Sequence, residues 1–168
     1  MSTDRRSRRR SSPRRSTGEA RLRRGPSSDD AHEIVFARQV TADDPVGRVP
    51  GQEALNSYPP KVRALMRAVL VQVAAAPPKR FAGGGYWEAM KGEMAGWFEV
   101  RVDGPSRRHY RLFCLLDYDA ENVELAKPLL VVVDGLDKDF RTVLDPADYA
   151  AVRKLGEEYL GRNPRSIA

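Results

Sequence analysis

The stretch Lys91–Asp117, KGEMAGWFEVRVDGPSRRHYRLFCLLD, predicts the centre of the fold. It contains two alternating segments on either side of Asp103-Gly104-Pro105-Ser106, a combination typical of a turn. Alternation of apolar and polar residues places successive side chains on opposite faces of a strand. We therefore expect the two segments to pair as an antiparallel hairpin.

One face of this predicted hairpin is charged. The first strand places Trp97, Glu99, Arg101 and Asp103 on that face, and the second strand places His109, Arg111 and Phe113 there. If the loop has an odd number of residues, Arg101 lies across from His109 or Arg111. A carboxylate, two guanidinium groups, an imidazole and an indole on one surface suit the handling of a phosphate.

The net charge of +6 is unevenly distributed along the 168 residues. The first 30 residues contain ten arginines and four acidic residues, so they account for the whole excess. We predict that residues 1–30 form a disordered Arg/Ser-rich basic tail and that residues 31–168 form a single domain. The tail is either a neutral extension or an arm that adds non-specific affinity for nucleic acid.

Other compositional features exclude several classes of site. Cys114 is the only cysteine, which leaves no internal disulfide and no thiolate zinc site, and its register predicts a buried hydrophobe. The sequence has no apolar run of ~18 residues and no signal-peptide core. We therefore expect a cytoplasmic protein with no membrane partner, no metal and no cofactor.

The rest of the chain supplies further elements. His32–Val40 predicts a first strand, and Leu129–Val133 a strand covered on both sides. Pro59–Ala76 has the apolar spacing of a helix with one buried stripe, and a second helix is expected from Asp145 to about Leu160. Leu136–Leu144 is predicted as a loop or short element. The resulting class is α+β: a small antiparallel sheet of about four strands with helices packed on one face, leaving the charged face open.

This order of elements resembles the RelE/HigB-like toxins of bacterial type II toxin–antitoxin systems. The resemblance is carried by the FEVR segment of the first hairpin strand, the YRLF segment of the second, and the DGLDK segment after the apolar strand. It covers roughly residues 60–160. It implies a RelE-like fold.

The same resemblance implies a compact ribonuclease that cuts mRNA, commonly on the ribosome, without a metal. The ribose 2′-hydroxyl attacks the adjacent phosphate, giving a cyclic phosphate and a free 5′-hydroxyl. The implied partners are mRNA, possible ribosome contacts and a cognate antitoxin, expected to be a helix-turn-helix protein whose complex with the toxin binds operator DNA. Arg101 and Arg111 match the family's arginines on the paired strands, and Lys138 matches its lysine after the third strand.

The remaining candidate residues follow from their placement. His109 and Glu99 have the chemistry of a base or an acid. Trp97 is a candidate platform for base stacking, and Lys91 and Arg141 are candidates for an RNA-binding rim. The chain departs from relatives that use a tyrosine near the C-terminus, because it has none after Tyr159.

Two other functions stay open at this point. The chain is alternatively a non-catalytic member of the same fold, in which the charged face recognises a protein or nucleic acid. It is also alternatively a nucleic-acid binder that works through its Arg-rich tail. A structural alternative is that Glu99, Arg101 and Arg111 form only a cross-strand ladder of ion pairs on a solvated sheet face.

Overall fold

The structure is a computed structural model, and it describes residues 25–76, 85–120 and 127–168. The described part contains five strands and three α-helices. In chain order these are β1 (Glu33–Phe36), α1 (Pro50–Ser57), α2 (Pro60–Ala75), β2 (Trp87–Ala89), β3 (Phe98–Gly104), β4 (Arg108–Asp117), β5 (Leu129–Asp139) and α3 (Pro146–Leu160).

All five strands belong to one mixed sheet with the order β1-β5-β4-β3-β2. Strand β1 pairs parallel with β5, and the other neighbours are antiparallel. The α+β class and the β3-β4-β5 meander are confirmed. The sheet has five strands rather than about four, because the three residues of β2 add an edge strand that was not predicted. So short a segment shows too little alternation to be recognised.

Helices α1 and α2 cover one face of the sheet. The apolar residues of α2 pack on inward-facing residues of β3 and β4, among them Val100, Val102 and Leu112. The α2 stripe includes Val62, Met66 and Val69 and matches the predicted spacing. The segment before α2 contains the eight-residue helix α1.

The expectation that helices pack on one face only is wrong for α3. Val152 and Tyr159 of α3 lie in a second core with Phe113, Leu115 and Val131. These sheet residues alternate onto the same face as Arg111, so that face is apolar at one end and charged at the other. Helix α3 covers the apolar end, because leaving that end in water would cost hydrophobic free energy.

Gly156 allows α3 to lie close to the sheet. A Cβ atom at this position would lie 2.4 Å from a ring carbon of Trp97. We expect Gly156→Ala to lower the free energy of unfolding by about 1–3 kcal/mol, although alanine is the better helix former by ~1 kcal/mol. Urea unfolding measures the change. A higher free energy of unfolding would contradict the close packing of α3 on Trp97. Adding Trp97→Phe to the Gly156→Ala variant should recover part of the lost stability.

Strand β5 is longer than the predicted Leu129–Val133. It continues through Asp134-Gly135 to Asp139, with a register shift opposite Phe113 and Cys114. Gly135 permits this because a Cβ there would lie 2.7 Å from both the Ala54 Cβ and the Tyr58 hydroxyl. The prediction of a loop or short element from Leu136 is therefore corrected. The extension places Lys138 in the sheet.

Residues 25–30, predicted as part of a disordered tail, belong to the folded domain. The Asp30 side chain accepts a hydrogen bond from the Ser27 amide, and Lys127 donates to the carbonyls of Ser27, Ser28 and Asp30. The rest of the predicted tail, residues 1–24, lies outside the described residues. Among the helices that the structure describes, none has the length and apolar character needed to cross a bilayer.

Candidate functional site

The open end of the α3-covered face carries seven polar side chains, which we call the charged face. They come from four adjacent strands and are Glu88, Glu99, Arg101, Asp103, His109, Arg111 and Lys138. The register places Arg101 directly opposite Arg111, which is one of the two partners expected for a loop with an odd number of residues. One row further along, His109 lies between Asp103 on β3 and Lys138 on β5.

Two ion pairs organise the centre of the charged face. Arg111 Nη1 donates to Glu99 Oε2 over 2.8 Å, and these side chains are only 14% and 7% exposed. Arg101 pairs with Glu88 and approaches Glu99 Oε1 at 3.7 Å, with 47% of its own side chain exposed. Arg111 is therefore fixed by its buried ion pair with Glu99, while Arg101 is accessible to a ligand.

Burial has the largest effect on the pKa of the Glu99 carboxyl. Removal from water raises the pKa of this carboxyl, and the charges of Arg111 and Arg101 oppose that rise. Replacing Arg111 would leave Glu99 buried without its close partner, so any Arg111 variant also tests folding. The Arg111 Nε–H is buried and has no hydrogen-bond partner among the described residues. We therefore infer that Glu99 positions Arg111.

His109 is oriented from two sides. Its Nδ1 contacts Asp103 Oδ1, and its ring stacks on Phe140 with centroids 4.2 Å apart and an interplanar angle of 19°. With Nδ1–H donating to the carboxylate, Nε2 carries the free lone pair. The side chain is 32% exposed. A carboxylate-oriented imidazole with an accessible Nε2 is suited to accepting a proton.

Lys138 completes a group of three cations. Its Nζ donates to the Thr142 carbonyl over 2.6 Å, which holds the ammonium at the edge of the face. Partial burial and the charge of Arg111 lower the pKa of Lys138, with a further contribution from Arg101, while the charge of Glu99 opposes them. An ammonium group that gives up its proton more readily is a better acid.

The other predicted residues lie elsewhere. Trp97 is 8% exposed and its indole lies against Gly156 of α3, so the ring has no open surface for a base. This burial argues against a stacking role, and Trp97 anchors α3 instead. Lys91 is exposed beside the 3₁₀ turn Gly92–Met94. Arg141 is exposed in the loop after β5, with a φ of 67°.

Sequence reasoning missed three residues that shape the site: Glu88, Asp103 and Phe140. Asp103 was visible on the correct face by alternation, but its pairing with His109 depends on the register. Glu88 belongs to the unpredicted strand β2. Phe140 reaches His109 only because β5 extends past Lys138, which the Asp134-Gly135 pair obscured.

Two further features limit the chemistry available. Cys114 is fully buried, and that burial raises the pKa of its thiol, so it is a core residue and no nucleophile. Across the three described segments, no three His, Cys, Asp or Glu side chains form a group able to hold a metal ion.

Comparison with protein-family models, with curated proteins and with solved structures finds no match for this chain.

Proposed function

We propose that this chain is the toxin of a toxin–antitoxin pair and acts as an endoribonuclease on mRNA. One observation carries the proposal: Arg101, Arg111 and Lys138 lie together with the Asp103–His109 pair on an open sheet face. This set contains phosphate-binding groups, a base and an acid. The resemblance of the hairpin segments to RelE/HigB-like toxins supports the same reaction.

Each residue has a role in the proposed cleavage. His109 Nε2 accepts the proton of the ribose 2′-hydroxyl, whose oxygen then attacks the phosphorus. Arg101 and Arg111 stabilise the extra negative charge of the pentavalent phosphate. Lys138 donates a proton to the departing 5′-oxygen. The products are a 2′,3′-cyclic phosphate and a 5′-hydroxyl, and no metal takes part.

The partners in this proposal are mRNA, with possible contacts to the ribosome, and a helix-turn-helix antitoxin. The complex with that antitoxin would bind operator DNA. A small neighbouring gene for a helix-turn-helix protein would support this arrangement.

Arg101→Ala tests the proposal with little risk to the fold, because Arg101 is half exposed. We expect RNA cleavage to fall about 10- to 100-fold, the value of a hydrogen bond to a charged group. The measurement is growth and transcript integrity after induction in a host without the antitoxin, with cleavage rates in a ribosome-containing extract. Arg67→Ala is the matched control, since Arg67 is an exposed cation on α2, across the sheet from the charged face. If the wild-type protein leaves growth and transcripts intact, the ribonuclease proposal is rejected.

A second candidate is a non-catalytic protein-binding module. Its support is that Arg101 and Arg111 are already paired with Glu88 and Glu99, so a phosphate would have to compete with carboxylates. In this case Arg101→Ala would weaken binding of the partner protein, and neither the wild type nor the variant would cleave RNA.

A further inference from the structure

A groove runs beside the charged face, between the segment after β2 and the start of α3. It has a volume of about 440 Å³, which lies within the range of small-ligand sites. Its walls include Met90, Lys91, Val143, Leu144, Tyr149 and Arg153. We call it the Tyr149 groove.

The groove lies next to the strands that carry the charged face. Met90 lies two residues after Glu88, which pairs with Arg101. On the other wall, the Tyr149 ring packs edge-on against Phe113 with centroids 6.1 Å apart, and Phe113 is the register partner of Glu99. A ligand that contacts Arg101 and extends along β2 past Glu88 would approach the groove.

The lining is suited to a flat, partly polar ring. Met90, Leu144 and Tyr149 provide apolar and aromatic surface, and the Tyr149 hydroxyl makes no hydrogen bond with any described residue. Val143 at the mouth is 87% exposed, the highest value among the described large hydrophobic side chains.

The rim carries two cations, Lys91 and Arg153, and one carboxylate, Glu93. Lys91 is exposed on one wall, and Arg153 on the other is 27% exposed, with Glu93 at 3.4 Å as its partner. Cations beside an aromatic surface are the usual combination in sites for single-stranded nucleic acid, where bases stack and phosphates contact lysine or arginine.

We propose that the Tyr149 groove binds a nucleobase of single-stranded RNA whose neighbouring phosphate lies on the charged face. This inference rests on the proposed ribonuclease function and gives it a substrate contact that Trp97 does not provide. Tyr149 stacks on the base or contacts its edge, Val143 closes the mouth of the groove, and Lys91 contacts a flanking phosphate.

The test measures binding of a short 2′-O-methyl RNA by the full chain, because this RNA lacks the attacking hydroxyl and stays intact. We expect Tyr149→Ala and Val143→Asp each to weaken binding about tenfold, as loss of one stacked base does. Tyr149→Phe should keep most of the affinity, since the ring is retained. Val46→Asp is the matched control, because Val46 is 75% exposed in the loop before α1, away from the groove. Titrations at several salt concentrations separate stacking from the affinity of the Arg-rich N-terminal residues, which falls as salt rises.

The results of these binding and cleavage measurements distinguish a failure of the groove proposal from a failure of the ribonuclease proposal. The proposal that RNA binds in the Tyr149 groove is contradicted if Tyr149→Ala and Val143→Asp both bind as tightly as the wild type. It is also contradicted if Val46→Asp loses as much affinity as they do. The wild-type protein could instead bind the oligonucleotide in a Tyr149-dependent way and never cleave natural RNA. This result would contradict the ribonuclease proposal and support RNA binding in the Tyr149 groove.

Discussion

Replacement of His109 by alanine is expected to slow the proposed RNA cleavage by about 10²- to 10⁴-fold, the usual contribution of a general base. The physical reason is the oriented imidazole: Asp103 holds Nδ1 and Phe140 holds the ring plane, which leaves Nε2 for the 2′-hydroxyl proton. The effect should appear in the rate of the chemical step, measured by single-turnover cleavage of a bound RNA. Affinity for uncleavable RNA should change little, because His109 is not a principal phosphate ligand.

His109→Asn is the control that separates chemistry from structure. The asparagine amide can still donate to Asp103 but has no atom equivalent to Nε2, so its rate should fall as far as that of the alanine variant. Asp103→Asn should have a smaller effect, because it disturbs only the orientation of the ring. Cleavage by His109→Asn at the wild-type rate would show that this imidazole is not the base. Circular dichroism of each variant verifies that the fold is retained.

Replacement of Asp117 by alanine is expected to lower the free energy of unfolding by about 3–5 kcal/mol. The Asp117 carboxylate is 3% exposed and accepts hydrogen bonds from the Tyr159 hydroxyl and Arg165 Nε, each over 2.9 Å. Its removal leaves the Arg165 guanidinium, 12% exposed, without its ion-pair partner. The end of β4, helix α3 and the C-terminal segment meet at this carboxylate, so all three should loosen. Urea denaturation measures the loss.

Two variants verify the origin of that loss. Glu157→Ala removes the same charge from an exposed position on α3 and should change the free energy of unfolding by less than about 0.5 kcal/mol. Tyr159→Phe removes one hydrogen bond and should cost about 1 kcal/mol. If Asp117→Ala were no more destabilising than Glu157→Ala, the buried network would not hold these elements together.

The local elements were predictable where one physical pattern dominates. Helix α2 follows from a single apolar stripe, and α3 begins at Asp145, whose side chain caps the helix as its Asp-Pro start indicated. Strand β2 was missed because three residues show no period. The end of β5 was missed because Asp134-Gly135 has the composition of a turn, although in the sheet Gly135 is required by the close approach of α1.

The candidate site was only partly predictable, and Trp97 illustrates why. Alternation placed it correctly on the same face as Glu99 and Arg101, and an aromatic residue beside two cations suggested a stacking platform. Alternation assigns a face of the sheet but does not indicate which part of that face another element covers. Helix α3 covers the Trp97 end, so the indole lies in the core, and a partly exposed aromatic side chain, Tyr149, lines the neighbouring groove instead.

The sequence by itself determined the hairpin, its turn and the charged side of β3 and β4, because strand alternation and turn chemistry are local properties. It also determined that the excess positive charge of the whole chain lies in the first 30 residues. Only the tertiary structure decided that Asp103 meets His109, that Glu99 holds Arg111 from a buried position, and that α3 divides the face into a core and an open site. These outcomes depend on register and on packing between residues far apart in the chain, which no local pattern contains.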